Sequence, residues 1–158
     1  MDAALYVAKV IHTDLTAANA AAWQWWTSVS AYDYKDGLVY IDKNEKGGNY
    51  YDSKMLWAFG NFSRFIRPGM KRIETSISSD KGLFVSAYTN NTTKQLVCVI
   101  VNTDGENKQL SFESKTPGRS FHKMILYKTG NNESLAKQEV TGKEITIPAK
   151  TVVTILMN

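Results

Sequence analysis

Between Ala22 and Thr27 the chain places three tryptophans in four positions, Trp23-Gln24-Trp25-Trp26. Indole rings offer flat apolar surface on which the C–H face of a pyranose lies well, and each carries one N–H for a polar partner. Large aromatics also serve simply to fill a core, and both uses stay open here. The groups that would turn sugar binding into sugar chemistry are harder to find. Before residue 70 the acidic residues are Asp2, Asp14, Asp33, Asp36, Asp42, Glu45 and Asp52, and none stands at the end of an apolar strand where two carboxylates could face each other. Asp33, Asp36 and Asp42 fall in polar stretches where aspartate is a turn former.

Other chemistries are poorly supplied. Cys98 lies inside the apolar run Leu96-Val97-Cys98-Val99-Ile100 and reads as a small core residue, with no second cysteine for a disulfide or metal site. His12 and His122 are far apart, outside any HExxH pattern, and His122 reads as a half-exposed sheet residue. Ser28 and Ser63 lack a neighbouring His/Asp set, and Gly47-Gly48 is not followed by Lys-Ser/Thr. Neither a metal nor a cofactor is expected. Sequons at Asn61, Asn90, Asn91 and Asn132 would matter only in a eukaryotic secretory pathway.

The 19 Lys+Arg against 15 Asp+Glu give a net charge of +4, but the lysines are scattered and often sit beside acids, as in Asp42-Lys43 and Lys143-Glu144. That pattern is a solvated surface, not a nucleic-acid groove, because the aromatics concentrate in the first half and the lysines in the second. No run approaches the roughly 20 apolar residues of a membrane span, and the N-terminus lacks the layout of a secretory signal.

The elements that must hold the tryptophans change character along the chain. Leu5, Ala8, Ile11 and Leu15 recur at helical spacing from Ala3 to about Thr16, with Val7 and Val10 widening the stripe. The bulky and β-branched residues from Trp23 to Val29 predict a strand, on which Gln24 and Trp26 share one side. A loop with Tyr32 and Tyr34 follows, then the apolar Leu38-Val39-Tyr40-Ile41 and the turn Lys46-Gly47-Gly48-Asn49, with room for a short hairpin. A second helix starts behind a cap at Asp52 or Ser53, lines up Met55, Leu56, Phe59, Phe62 and Ile66, and stops at Arg67-Pro68-Gly69. Beyond Met70, strands are predicted at Ile73 to Ile77, Leu83 to Tyr88, Leu96 to Val101, Leu110 to Phe112, Phe121 to Tyr127, Glu144 to Ile147 and Val152 to Leu156. Turn residues separate them, including Ser79-Asp80, Asn90-Asn91-Thr92, Asp104-Gly105, Pro117-Gly118 and Thr141-Gly142. The expected fold is mainly β: an antiparallel sandwich of about seven to eight strands behind an α/β segment. A lone aromatic strand cannot satisfy its own backbone, so either it joins the sandwich or the chain is part of something larger.

The stretch Tyr50 to Gly69, with Phe62-Ser63-Arg64-Phe65-Ile66-Arg67-Pro68-Gly69 at its end, resembles the last barrel helix of glycoside hydrolase family 30. Ala22-Trp23-Gln24-Trp25-Trp26 looks like that family's eighth barrel strand, and the remainder like its side domain. The resemblance implies residues 1–66 as the end of a (β/α)8 barrel and 67–158 as a β-sandwich. It further implies a retaining enzyme of the endo-β-1,6-galactanase or glucanase kind, secreted and acting on β-linked polysaccharide. Retention requires two carboxylates roughly 5–5.5 Å apart. In the family both are glutamates on the fourth and seventh barrel strands, ahead of the part represented here, so no catalytic residue is assigned and the isolated chain is expected to be inert.

What a barrel end retains of an active site is the loop after its last strand. By that likeness Trp26 lines the sugar subsite beside the cleaved bond, Gln24 offers a hydrogen bond to a hydroxyl, and Trp25 is a further contact, with Trp23 left to the core. Tyr32, Tyr34 and Tyr40 sit in or beside the same loop. Arg64 and Arg67 read either as anchors between barrel and sandwich or as cations at a helix C-terminus, and Trp57 as helix packing. Exposed barrel surface predicts self-association through residues 1–66. Two rivals are an autonomous carbohydrate-binding module and a structural domain without ligand.

Overall fold

The computed structural model describes residues 1–77, 81–114, 121 and 123–157. His122 and the turns at Ser79-Asp80 and Pro117-Gly118 lie outside the described residues.

The chain forms α1 (Asp2–Thr16), β1 (Val29–Ser30), β2 (Val39–Ile41), β3 (Tyr50–Asp52), α2 (Lys54–Ser63), β4 (Lys71–Ile73), β5 (Leu83–Thr89), β6 (Leu96–Asn102), β7 (Lys108–Ser111), β8 (Lys123–Thr129), β9 (Ala136–Thr141), β10 (Glu144–Ile147) and β11 (Thr151–Met157). Strands β4 to β11 make an antiparallel β fold: a six-stranded sheet in the order β4-β5-β6-β11-β8-β9, faced by the two-stranded β10-β7. The first part holds a separate small sheet, β1-β2-β3, parallel at β1–β2 and antiparallel at β2–β3.

The large sheet is covered on both faces, which is why its central strands read as unbroken apolar runs. Val97, Val99 and Val101 of β6 and Val152 of β11 pack with Leu5, Ala8 and Ile11 of α1 and Ala58 and Phe62 of α2. The alternate residues Leu96, Cys98, Ile100, Val153, Ile155 and Met157 pack with Ile145 and Ile147 of β10. Two-residue alternation thus sends one set to the helices and the other to the second sheet.

Each helix has a local cause. In α1 the expected stripe is the buried one, with Leu5, Val7, Ala8 and Ile11 inward. In α2 Ser53 is the cap, its hydroxyl accepting from the backbone N–H of Leu56 at 3.2 Å, while Asp52 accepts from the Trp57 indole instead. Asn61 then fastens α2 to the sheet. Its amide donates to the Tyr127 carbonyl and to Thr154 Oγ1, both at 2.9 Å, and the Thr154 hydroxyl donates back to the Asn61 carbonyl at 2.6 Å. Asn61 is fully buried, so its sequon is not an accessible modification site.

Three differences from the expected elements have physical explanations. Residues 23–28 form no strand: the Leu38 and Val39 N–H groups donate to the Thr27 and Ser28 carbonyls at 3.2 and 2.9 Å, leading into the β1–β2 pairing, but among the described residues no neighbouring segment pairs with the backbone of Trp23 to Trp26. The strand expected at Ile73 to Ile77 lies earlier, at Lys71–Ile73, with Thr75 tied to the Val85 carbonyl only through its hydroxyl. The edge strand β9 went unrecognised because Ala136-Lys137-Gln138-Glu139 is almost wholly exposed; its charge suits a sheet edge and carries no apolar alternation.

Candidate functional site

Although residues 23–28 are irregular, their side chains alternate. Trp23 and Trp25 are half-buried, Gln24 is exposed, and Trp26 is 84% exposed. The inward pair is fixed by its polar handles: Trp23 Nε1 donates to Asp14 Oδ2 at 2.9 Å, and Trp25 Nε1 to the Asp36 carbonyl at 2.6 Å. Their rings stack with centroids 5.9 Å apart and planes 16° from parallel. Trp23 also meets Phe59 of α2, placing it against the core. The structure therefore brings Gln24 and Trp26 out to solvent and draws Trp25 inward with Trp23.

The following loop adds more exposed aromatic surface. Tyr32 and Tyr34 stack at 5.4 Å with planes 9° apart, Tyr34 is 74% exposed, and the Lys43 ammonium sits 3.9 Å from the Tyr32 ring centre. Tyr50 and Tyr51 on β3 are exposed as well. Tyr40 has a different task, since its hydroxyl accepts from the Gly37 N–H at 3.0 Å. A Cβ on Gly37 would fall 2.9 Å from Ser30 Cβ and 3.1 Å from the Tyr40 ring, so only glycine fits that approach. Lys43 went unnoticed in the sequence because its contact with Tyr32 crosses a loop with no fixed spacing.

Asp14, Asp42 and Asp52 near these aromatics are taken up by structure, whereas Asp36 Oδ1 is buried with no hydrogen-bond partner. Asp42 accepts from the N–H groups of Asn44 and Asn49, at 3.2 and 2.8 Å, as a turn former. Asp14 and Asp52 each hold an indole. Among the described residues no group of three His, Cys, Asp or Glu side chains could hold a metal ion. Cys98 is buried and its thiol is pushed up to about 12, so it stays protonated near neutral pH. His12 leans on the Phe84 ring at 5.6 Å, and burial, with Arg72 second, holds its imidazole below the ordinary value of 6.5.

The two arginines divide the roles open to them. Arg64 lies 5.6 Å from the Tyr127 ring centre and so links the end of α2 to β8. Arg67 donates to the Ser63 carbonyl at 2.8 Å, completing the C-terminal turn of α2. No helix is long and apolar enough to cross a membrane among the described residues.

The architecture defines a β-sandwich with two helices docked on one sheet face and a projecting aromatic segment. A family model described as O-Glycosyl hydrolase family 30 matches residues 1–40, and one described as the glycosyl hydrolase family 30 beta sandwich domain matches residues 69–155. The chain belongs to glycoside hydrolase family 30 and corresponds to a C-terminal portion of such an enzyme. It is 24% identical to a glucuronoxylanase of Bacillus subtilis, over 98% of this chain and 34% of that protein. A conserved exported protein from Bacteroides fragilis superposes with a TM-score of 0.83 at 35% identity, over 97% of this chain and 33% of that one. The catalytic domain of a family 30 xylanase C from Talaromyces cellulolyticus does so at 0.75 and 26% identity, over 98% and 35%. The chain spans about a third of the length of the curated relatives it matches.

Proposed function

We propose that this chain is the sugar-contacting end of a retaining glycosidase acting on β-linked polysaccharide, with both catalytic glutamates outside its 158 residues. The supporting observation is Trp26, held 84% exposed beside the exposed Gln24 while its neighbours are pinned inward. A ring in that position can stack a pyranose, with Gln24 bonding a hydroxyl and the edge of Trp25 a secondary contact. The division into a barrel end at 1–66 and a sandwich at 67–158 is part of this proposal, supported by the separate family matches at 1–40 and 69–155. Export of the parent enzyme is proposed in view of the exported relative.

Two of the named relatives, the glucuronoxylanase and the xylanase C, are xylan enzymes, so xylan ranks ahead of β-1,6-glucan and β-1,6-galactan as the substrate. The test is a tryptophan-fluorescence titration of the chain with oligosaccharides of all three classes, beside a hydrolysis assay. A saturable response lost in Trp26→Ala, without hydrolysis, is expected. Reproducible cleavage by the purified chain would sink the inert reading. A response insensitive to Trp26 and Gln24 substitution would remove both from the site.

A further inference from the structure

Where the end of α1, the segment after it, the end of α2 and the edge strand β4 meet lies an open pocket of about 670 Å³. Its polar side chains are Asn19, Ser63, Arg67, Arg72 and Tyr88, and none of its lining residues is a carboxylate. Asp14 does not line it, being engaged with the Trp23 indole. Two exposed cations thus share one concavity, and among the described residues neither has an acidic partner within ion-pair distance. Arg67 spends one N–H on the Ser63 carbonyl, and Arg72 reaches Asn19 Oδ1 only at 3.5 Å, which leaves most of their guanidinium donors to solvent or to a ligand.

Beside these arginines is a hydroxyl with nothing to bond. Tyr88 lines the same pocket at 4% exposure, and its Oη is buried without a hydrogen-bond partner. The register explains why the two residues meet: Arg72 of β4 pairs directly with Tyr88 of β5, which sets their side chains next to each other on one face of the sheet. That face is the one toward the helices, because alternation along β5 groups Tyr88 with Ser86 and Phe84, and Phe84 packs with the α1–α2 core. Ser86 Oγ, and His12 Nδ1 on the α1 side, are buried without partners as well. Ser86 bears on Tyr88 electrostatically, yet neither hydroxyl completes a hydrogen bond. A buried donor left unpaired is costly, and a group that brings an acceptor to it recovers the loss.

The other walls decide what kind of anion fits. Leu15, Trp23, Ile66 and Met70 make them largely apolar. A bare phosphate would leave acceptor oxygens against that surface, whereas a carboxylate on an apolar body sets its charged end on the arginines and its other end on the indole. We propose that this pocket binds a small organic monocarboxylate, its head held by Arg72 and the Tyr88 hydroxyl with Arg67 at the rim, and its body against Trp23 and Ile66. Trp26 is not among the lining residues, so the site stands apart from the sugar reading above.

The test follows arginine side-chain and backbone amide resonances of the 158-residue chain during titration with benzoate. Benzyl alcohol supplies the same ring without the charge, and inorganic phosphate the charge without the ring. Benzoate is expected to saturate, with shifts centred on Arg67, Arg72 and residues 19–23, and to bind about tenfold more tightly than either control. Arg72→Gln should weaken it about tenfold, the loss typical of a hydrogen bond to a charged group, and Tyr88→Phe about threefold. Tyr88→Phe also separates binding from structure: deleting an unpartnered buried hydroxyl should leave the urea midpoint of the free chain unchanged or raised. Benzyl alcohol or phosphate binding as tightly as benzoate would overturn the proposal, the first marking a merely apolar hollow and the second a bare anion site. The absence of a saturable shift, saturation insensitive to both substitutions, or a lowered Tyr88→Phe midpoint would overturn it too. Trp26→Ala should bind benzoate as before, so loss of the sugar site and loss of this one are told apart.

Discussion

The stretch from α1 to α2 and the sheets that follow it are built to different standards of closure. In the sandwich, β6 and β11 are buried along nearly their whole length, every central strand has two ladder partners, and both faces of the sheet are covered. In the first part the faces of α1 and α2 that touch the sheet are closed, with Leu38 and Ser30 buried beside them, while Trp26, Tyr34, Tyr50 and Tyr51 stand in solvent. The sheet satisfies its own backbone and core, whereas the first segment leaves aromatics and strand edges open to solvent.

That contrast can be tested by substitution. Ile155→Ala, at a fully buried position, should cost about 3–4 kcal/mol, read as a lower urea midpoint for the whole chain. A loss confined to the sandwich, with helix content unchanged, would show that the helices do not depend on it. Asn61→Ala leaves the buried Thr154 hydroxyl and Tyr127 carbonyl short of a partner and should cost about 2 kcal/mol. Because Asn61 joins α2 to the sheet, helix signal and sheet signal should fall together. Gly37→Ala forces a Cβ against Ser30 and Tyr40 and should cost about 1–2 kcal/mol, with disorder in the tyrosine loop visible by NMR.

The pH dependence singles out the α1 interface. His12 titrates below its ordinary 6.5 because burial, then Arg72, disfavours its charged form, so the unfolded chain binds the proton more readily than the folded one. Its contribution is therefore fully present above about pH 6.5 and is lost as the pH falls below that. Chemical denaturation between pH 7.5 and 5 should show the decline, and His12→Asn should flatten it. The smallest effect belongs to Trp26→Ala, expected to move stability by no more than about 0.5 kcal/mol while removing the oligosaccharide response. A large stability loss there would mean that the ring packs, and the contrast between the two regions would narrow.

The elements readable in advance are those whose pattern has one physical cause. The α1 stripe, the Ser53 cap and the apolar runs of β5, β6 and β11 stand where periodicity placed them. The Trp23 to Val29 strand misled because aromatic and β-branched composition reports a preference for pleated, half-buried surface, and a strand also needs a neighbour to pair with. β9 escaped because an exposed, charged edge shares its composition with a loop. At the candidate site the alternation of Gln24 and Trp26 could be anticipated, but the stack of Tyr32, Tyr34 and Lys43 could not, being a long-range loop contact.

By itself the sequence determined the mainly β character of the chain, where each helix starts, and a likeness to family 30 carried by Phe62 to Gly69, while it carried the second helix through Ile66 where α2 ends at Ser63. It also determined that the acids before residue 70 include no pair at the end of an apolar strand, since that depends on composition and local spacing alone. Only the tertiary structure decided that both helices share a core with the large sheet, that Asn61 is buried in that junction, and that Trp23 and Trp25 turn inward while Trp26 turns out. Those outcomes depend on which distant groups, Asp14, the Asp36 carbonyl, Tyr127 and Thr154, come within hydrogen-bond reach, and no periodicity in a single chain encodes such meetings.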